Sequence, residues 1–262
     1  MIEVLFVLVC FLASAVGCIC GIGGGVIIKP VLDSLGIYSA STISFMSGCI
    51  VLAMTCYSVV KAQIAGESLI KRQVTVPLGI GAAIGGILGK LLFDMIRGAA
   101  ANADMVGAVQ AAVLFVVTSG TLLYMLCSAR IKTHTISNRI ACAAIGFALG
   151  VISSFLGIGG GPINLVVLSF FFSMETKVAA QNSLFIILLS QTASLVFTLL
   201  RRTTPEFPVI LFICMVLAGI LGGIVGRRVN KRIDSRMVHR LLIVLIVVIM
   251  LICCYNFYQY CF

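Results

Sequence analysis

The sequence predicts an all-α membrane protein made of two inverted repeats, each a glycine-tipped helical hairpin plus three transmembrane helices. Three observations lead there. First, 61% of the 262 residues are apolar and only 10% are charged, with a mean hydropathy of +1.22. A soluble domain carries about 25% charged residues, so this chain cannot build a water-facing surface and must be solvated by lipid. Second, apolar runs near the length of a membrane span follow one another with little between them. Third, a glycine-rich motif occurs twice at a fixed offset.

Eight runs are long: Ile2–Cys20, Ala40–Val60, Val74–Ile96, Met105–Cys127, Ile140–Leu156, Val178–Leu200, Phe207–Gly226 and Met237–Tyr260. Each is near the roughly 20 residues that a helix needs to cross the hydrocarbon. The first begins without the basic region of a signal peptide, since its early charge is Glu3, and is read as a retained membrane segment. Two runs are about half as long, Val26–Leu35 and Pro162–Phe172, and each follows a glycine cluster.

Gly21-Ile22-Gly23-Gly24-Gly25 recurs as Gly157-Ile158-Gly159-Gly160-Gly161, and Gly85-Gly86-Ile87-Leu88-Gly89-Lys90 as Gly222-Gly223-Ile224-Val225-Gly226-Arg227. The expected division is residues 1–128 for the first repeat, 129–139 for a basic cytoplasmic linker and 140–262 for the second repeat.

Charge decides how the repeats are oriented. If only the eight long runs cross, the Lys and Arg residues outside the membrane divide almost evenly. If each glycine cluster is instead a hairpin turn, Lys61, Lys71, Arg72, Arg130, Lys132, Arg139, Lys177, Arg227, Arg228, Lys231, Arg232, Arg236 and Arg240 share one side. Lys90, Arg97, Arg201 and Arg202 face the other, and Lys29 stays within the membrane. The positive-inside rule selects the hairpins. It predicts a multi-pass cell-membrane protein with both termini outside. The net charge of +10 is then a matter of topology, with the lipid bilayer and not nucleic acid as the partner.

The glycine clusters are the sharpest candidates for function. Irregular backbone inside a bilayer is tolerated where protein buries it or where it lines a cavity. The short helix after each cluster offers backbone N–H groups and the positive end of its dipole, which favour an anion. Two inverted hairpins would bring two such starts to the midplane, as in many secondary transporters. Gly23, Gly24, Gly25, Gly159, Gly160 and Gly161 are therefore candidate binding positions, against the alternative of close helix packing. Lys29 is a candidate counter-charge, against snorkelling or pairing with Asp33. Leu165 stands where its counterpart would be.

Ser44, Asn182 and Ser183 follow the clusters at similar distances, with Asn164 and Gln191 as further hydrogen-bonding candidates; helix capping and interhelical bonds are the competing readings. Glycines 79 to 89 and 219 to 226 are read as helix-packing positions. No cofactor, metal site or catalytic group is expected. The 11 Cys lie mostly inside apolar runs, without metal-ligand spacing, and no nucleophile or zinc motif occurs.

The two GIGGG clusters, each followed by a short proline-containing helix and an Ala-x-x-x-Ser element at Ala40–Ser44 and Ala179–Ser183, resemble the TauE/SafE sulfite-exporter family over nearly the whole chain. The resemblance implies a permease for sulfite or a small organosulfur anion such as a sulfonate. It places the glycines, Ser44, Asn182 and Ser183 near the substrate. Pro162 directly follows its glycines, whereas Pro30 comes later in its helix; Ile43 stands where the second repeat has Asn182. An anion channel and a non-transporting scaffold subunit are the alternatives. Coupling ion, direction and oligomeric state, a homo-oligomer included, are left open.

Overall fold

The computed structural model describes residues 2–99, 103–128, 131–202 and 204–261. Arg130, which enters the charge reading, lies outside the described residues, as does the side chain of Arg97. Among the described residues there are ten α-helices and no strands: α1 (Ile2–Cys20), α2 (Gly25–Asp33), α3 (Ala40–Ile64), α4 (Arg72–Ala99), α5 (Ala103–Cys127), α6 (Arg139–Phe155), α7 (Pro162–Phe172), α8 (Thr176–Leu200), α9 (Val209–Arg232) and α10 (Ser235–Cys261). Seven are long and apolar enough to cross a membrane. Helix α6 has 17 residues, roughly 26 Å at 1.5 Å per residue, short of a hydrocarbon core of about 30 Å.

Helices α1 and α2 form a hairpin because the first cluster both stops one helix and starts the next. The Ile22 N–H reaches back to Gly17 O at 3.1 Å, and Gly21 has φ +75°. This i to i−5 closure over a left-handed residue is a Schellman ending, which glycine adopts without strain. The second cluster ends α6 in the same way, with Ile158 N–H on Ser153 O at 3.3 Å and Gly157 at φ +65°. The two starts differ. Gly24 caps α2 from a helical conformation, whereas Gly161 caps α7 at φ 146° and Pro162 opens the helix, the position proline prefers.

Both hairpins return to the side they came from. Tyr38, beyond α2, meets Phe6 near the start of α1 with ring centroids 5.8 Å apart. Before α6, the backbone N–H groups of His134 and Ile136 bond to Phe170 and Phe171 at the end of α7. The chain next runs through three long helices in each half.

Equivalent helices of the halves run antiparallel. In α3 and α8, Thr42 lies near Glu206, Gly48 faces Gln191, and Asn182 meets the loop after α3. In α5 and α10, Gly107 faces Tyr260 and Ser119 reaches Met250.

The packing partners exchange between halves. Helix α4 packs along α6, and α9 packs along α1. The repeated glycines make these close seams possible: a side chain on Gly81, Gly85 or Gly89 would strike the backbone of Ala143, Phe147 or Val151. On Gly222 or Gly226 it would strike that of Phe11 or Ala15. With little hydrophobic drive between helices in lipid, such close backbone approach supplies dispersion contact. The packing reading of these glycines holds, with one departure at Gly86, which faces the hydroxyls of Ser154, Ser190 and Ser194.

Candidate functional site

The two glycine tips meet in the interior. Val26 and Ile158 share an apolar cluster with Leu156, and a side chain on Gly25 would lie 2.5 Å from Ile158 O. On either side of the tips is a polar recess, and the two recesses are near counterparts under exchange of the halves. One, of about 40 Å³, is bordered by Ser41 at the start of α3 and Pro205 before α9. The other, of about 410 Å³, opens by the loop after α3 and includes Cys18, Arg227 and Asn230. These three occupy the places of Ser154, Lys90 and Phe93 in the first recess.

The smaller recess has the chemistry of an anion site. Its polar lining is built from hydroxyls and amides, including Ser44, Ser154, Gln110, Gln191 and Ser194, with Lys90 as its charge; among the described residues no carboxylate lines it. The Ser44 hydroxyl is buried without a partner, while Ser154 and Ser194 share a hydrogen bond at 3.0 Å. Lys90 is half-buried and held 3.5 Å from Asp94, one turn along α4.

Lys29 does not snorkel. It is 3% exposed, and its ammonium donates to Gln110 Oε1 at 2.7 Å and to Leu156 O at 2.6 Å. No ion pair joins it to Asp33 among the described residues. Gly157 lies between Lys29 and Ser44. The place where a β-carbon of residue 157 would sit is 3.1 Å from Lys29 Nζ and 2.5 Å from Ser44 Oγ. Only glycine fits between a buried cation and an unpaired hydroxyl that come this close.

The other sequence candidates divide. Gln191 and Ser44 line the recess, and Gly159 packs against the Gln191 amide. Gly23 packs on Val51 and Ile187, Gly24 on Ser14, Gly25 on Ile158, Gly160 on Ile187 and Gly161 on Ile158 and Val26. The starts of α2 and α7 thus press into the meeting of the tips. Asn164 and Ser183 are buried, each with an unpartnered oxygen, and neither lines the recess.

Asn182 is committed elsewhere. It accepts from Lys71 N–H at 2.9 Å and from the Thr75 hydroxyl, and donates to Leu69 O and Val178 O. It clamps the loop after α3 to the start of α8. Sequence reasoning did not single out Gln110, Ser154 or Ser194 and read Lys90 only as the end of a repeated glycine motif and a charge in the topology count. Gln110 left a signal: it is the one amide in the run Met105–Cys127.

Seven helices long and apolar enough to cross a membrane, with two glycine-tipped hairpins meeting beside a polar recess, define a multi-pass membrane protein. The chain belongs to the family described as Sulfite exporter TauE/SafE, whose model matches residues 6–252. No curated protein and no solved structure matches it.

Proposed function

We propose that this protein is a secondary transporter carrying sulfite or a small organosulfur anion such as a sulfonate by alternating access. The observation that carries this reading is the approach of the buried Lys29 ammonium and the free Ser44 hydroxyl at Gly157, on the border of the polar recess. An oxyanion there would accept from both, and charge-assisted bonds of this kind are the strong ones. The recesses on opposite sides of the tips suit a site exposed alternately by movement of one repeat against the other. The repeats are residues 1–128 and 140–262, inverted in the cell membrane, with the 129–139 linker cytoplasmic and both termini outside.

The test is exchange of labelled sulfite or sulfonate in liposomes holding purified protein, with unlabelled anion trapped inside. Saturable counterflow is expected, and Gly157→Leu should abolish it. Current without counterflow would identify a channel. Absence of both from folded protein would remove the transport reading.

A further inference from the structure

Beside the anion recess lies a smaller cavity of about 20 Å³, walled by α2, α5, α10 and Leu156. Gln110 lines both. Two buried side-chain oxygens at this cavity lack any donor: Asp33 Oδ1 and Asn256 Oδ1. Asn256 is 4% exposed, and its amide nitrogen donates to Pro30 O at 2.8 Å. That bond fixes the amide orientation, since the flipped amide would set oxygen against oxygen. Unpartnered buried acceptors are destabilising.

The fold does not demand ionisable groups here. Helix α7 is the counterpart of α2, and it carries Leu165 and Ser169 at the places of Lys29 and Asp33. The same hairpin arm therefore packs without an ionisable pair in the other half.

We infer that this cavity is a proton-binding site, with Asp33 as the carrier, and that the proton travels with the anion. Protonation gives Asp33 an O–H that can donate, and Asn256 Oδ1 is the acceptor waiting at the same cavity. A sodium ion fits less well: two free oxygens are too few to replace its water shell, the cavity holds about one water, and Lys29 already places a positive charge alongside.

The titratable groups around Asp33 are few. Helix α2 presents Lys29, and α10 presents Cys253 and Tyr260. Helix α5 presents Gly107, Gln110, Ala111 and Leu114. The cluster that α2 forms with α1 and α3 contains Cys10, with Tyr38 packed against it, among apolar residues. Lys29, one turn from Asp33, is thus the charge through which proton and anion affect each other. With Asp33 ionised, part of its field is cancelled. With Asp33 protonated, the full ammonium charge acts on an anion over Gly157. Each ligand strengthens the binding of the other, a reciprocal coupling. No bond to the anion forms or breaks. The proton leaves water on one side, rests on the Asp33 carboxylate and is released with the anion on the other.

This inference rests on the anion-carrier reading, and the experiment separates the two. Protein is reconstituted in liposomes with a trapped pH dye. Labelled sulfite and sulfonate uptake is followed under a pH gradient, under a sodium gradient and as counterflow without either. The expected result is counterflow, accumulation at least ten-fold above equilibrium under a pH gradient of two units, and dye-reported proton movement in the direction of the anion. Asp33→Asn should lose the accumulation and the proton signal while the protein still melts cooperatively. Asn256→Leu, which removes the acceptor, should shift the pH midpoint of uptake. Counterflow without pH-driven accumulation, accumulation driven by sodium alone, or unaltered coupling in Asp33→Asn would each overturn the proton site and leave the carrier standing. Loss of counterflow in the parent protein would overturn the carrier itself.

Discussion

Lys29 shows how much one side chain can hold in place. Its ammonium ties the first hairpin to Gln110 of α5 and to the last carbonyl before the second glycine cluster. A cation at a membrane helix centre costs about 2.5–3.5 kcal/mol on insertion scales, and those two bonds offset part of it. Lys29→Met keeps the length and removes the charge. It should weaken anion binding by roughly ten- to a hundred-fold, matching about 1.5–3 kcal/mol for a hydrogen bond to a charged group. Isothermal titration of the purified protein measures this. Unchanged affinity would place the anion elsewhere. From sequence, Lys29 was legible because a lone charge in an apolar run is conspicuous. Asn182 misled for the opposite reason: a polar residue at a helix start serves an anion or a neighbouring loop equally well, and only the path of Leu69–Lys71 decides.

At the scale of the element, the glycine seams are where packing is least forgiving. Gly85 lies against the backbone of Phe147, which cannot move aside as a side-chain tip could. Gly85→Leu should separate α4 from α6 and lower the thermal midpoint by several degrees, in keeping with a cost of about 1–3 kcal/mol for overpacking. Gly98→Leu, where nothing lies within 4 Å, should leave the midpoint within about one degree. Equal effects would mean that the seam is loose.

Helix positions were readable because each apolar run has a clear length; α1 and α7 match their runs end to end. The hairpin turns were readable because positive φ at several positions of each cluster, among them Gly21, Gly23, Gly157 and Gly159, favours glycine. The recess was not readable, since it is assembled from α3, α4, α5, α6 and α8, and no local spacing encodes contacts of such separation.

For the whole molecule, sidedness follows from which ends meet. Glu67, in the loop after α3, accepts from Arg227 at 2.7 Å and from Lys231 at 2.6 Å, which puts the basic end of α9 with the α3–α4 loop. Arg201 lies at the far end of α8. Cysteines replacing Arg201 and Arg228, in a background without exposed native cysteines, should react with impermeant reagents from opposite faces of the membrane. Labelling from one face would contradict two re-entrant hairpins. The same bridge has a pH signature. Lys231 foremost, with Arg227 beside it, holds the Glu67 carboxyl below its ordinary range. Its contribution is therefore present above the unfolded carboxylate range and is lost as pH falls through the lowered value. A Glu67→Gln variant should match the parent's thermal midpoint in strong acid and fall below it at neutral pH. An offset of the same size at both pH values would show that the bridge contributes nothing.

The exchange of packing partners between halves also has a consequence in time. Helix α1 packs on its hairpin partner α2 but most extensively along α9, a helix of the other repeat. During synthesis at about 5–20 residues per second, α9 emerges roughly ten to forty seconds later. Through that interval the face of α1 around Phe11 and Ala15 lacks the α9 glycines that pack on it. The first half therefore completes its packing only when α9 arrives.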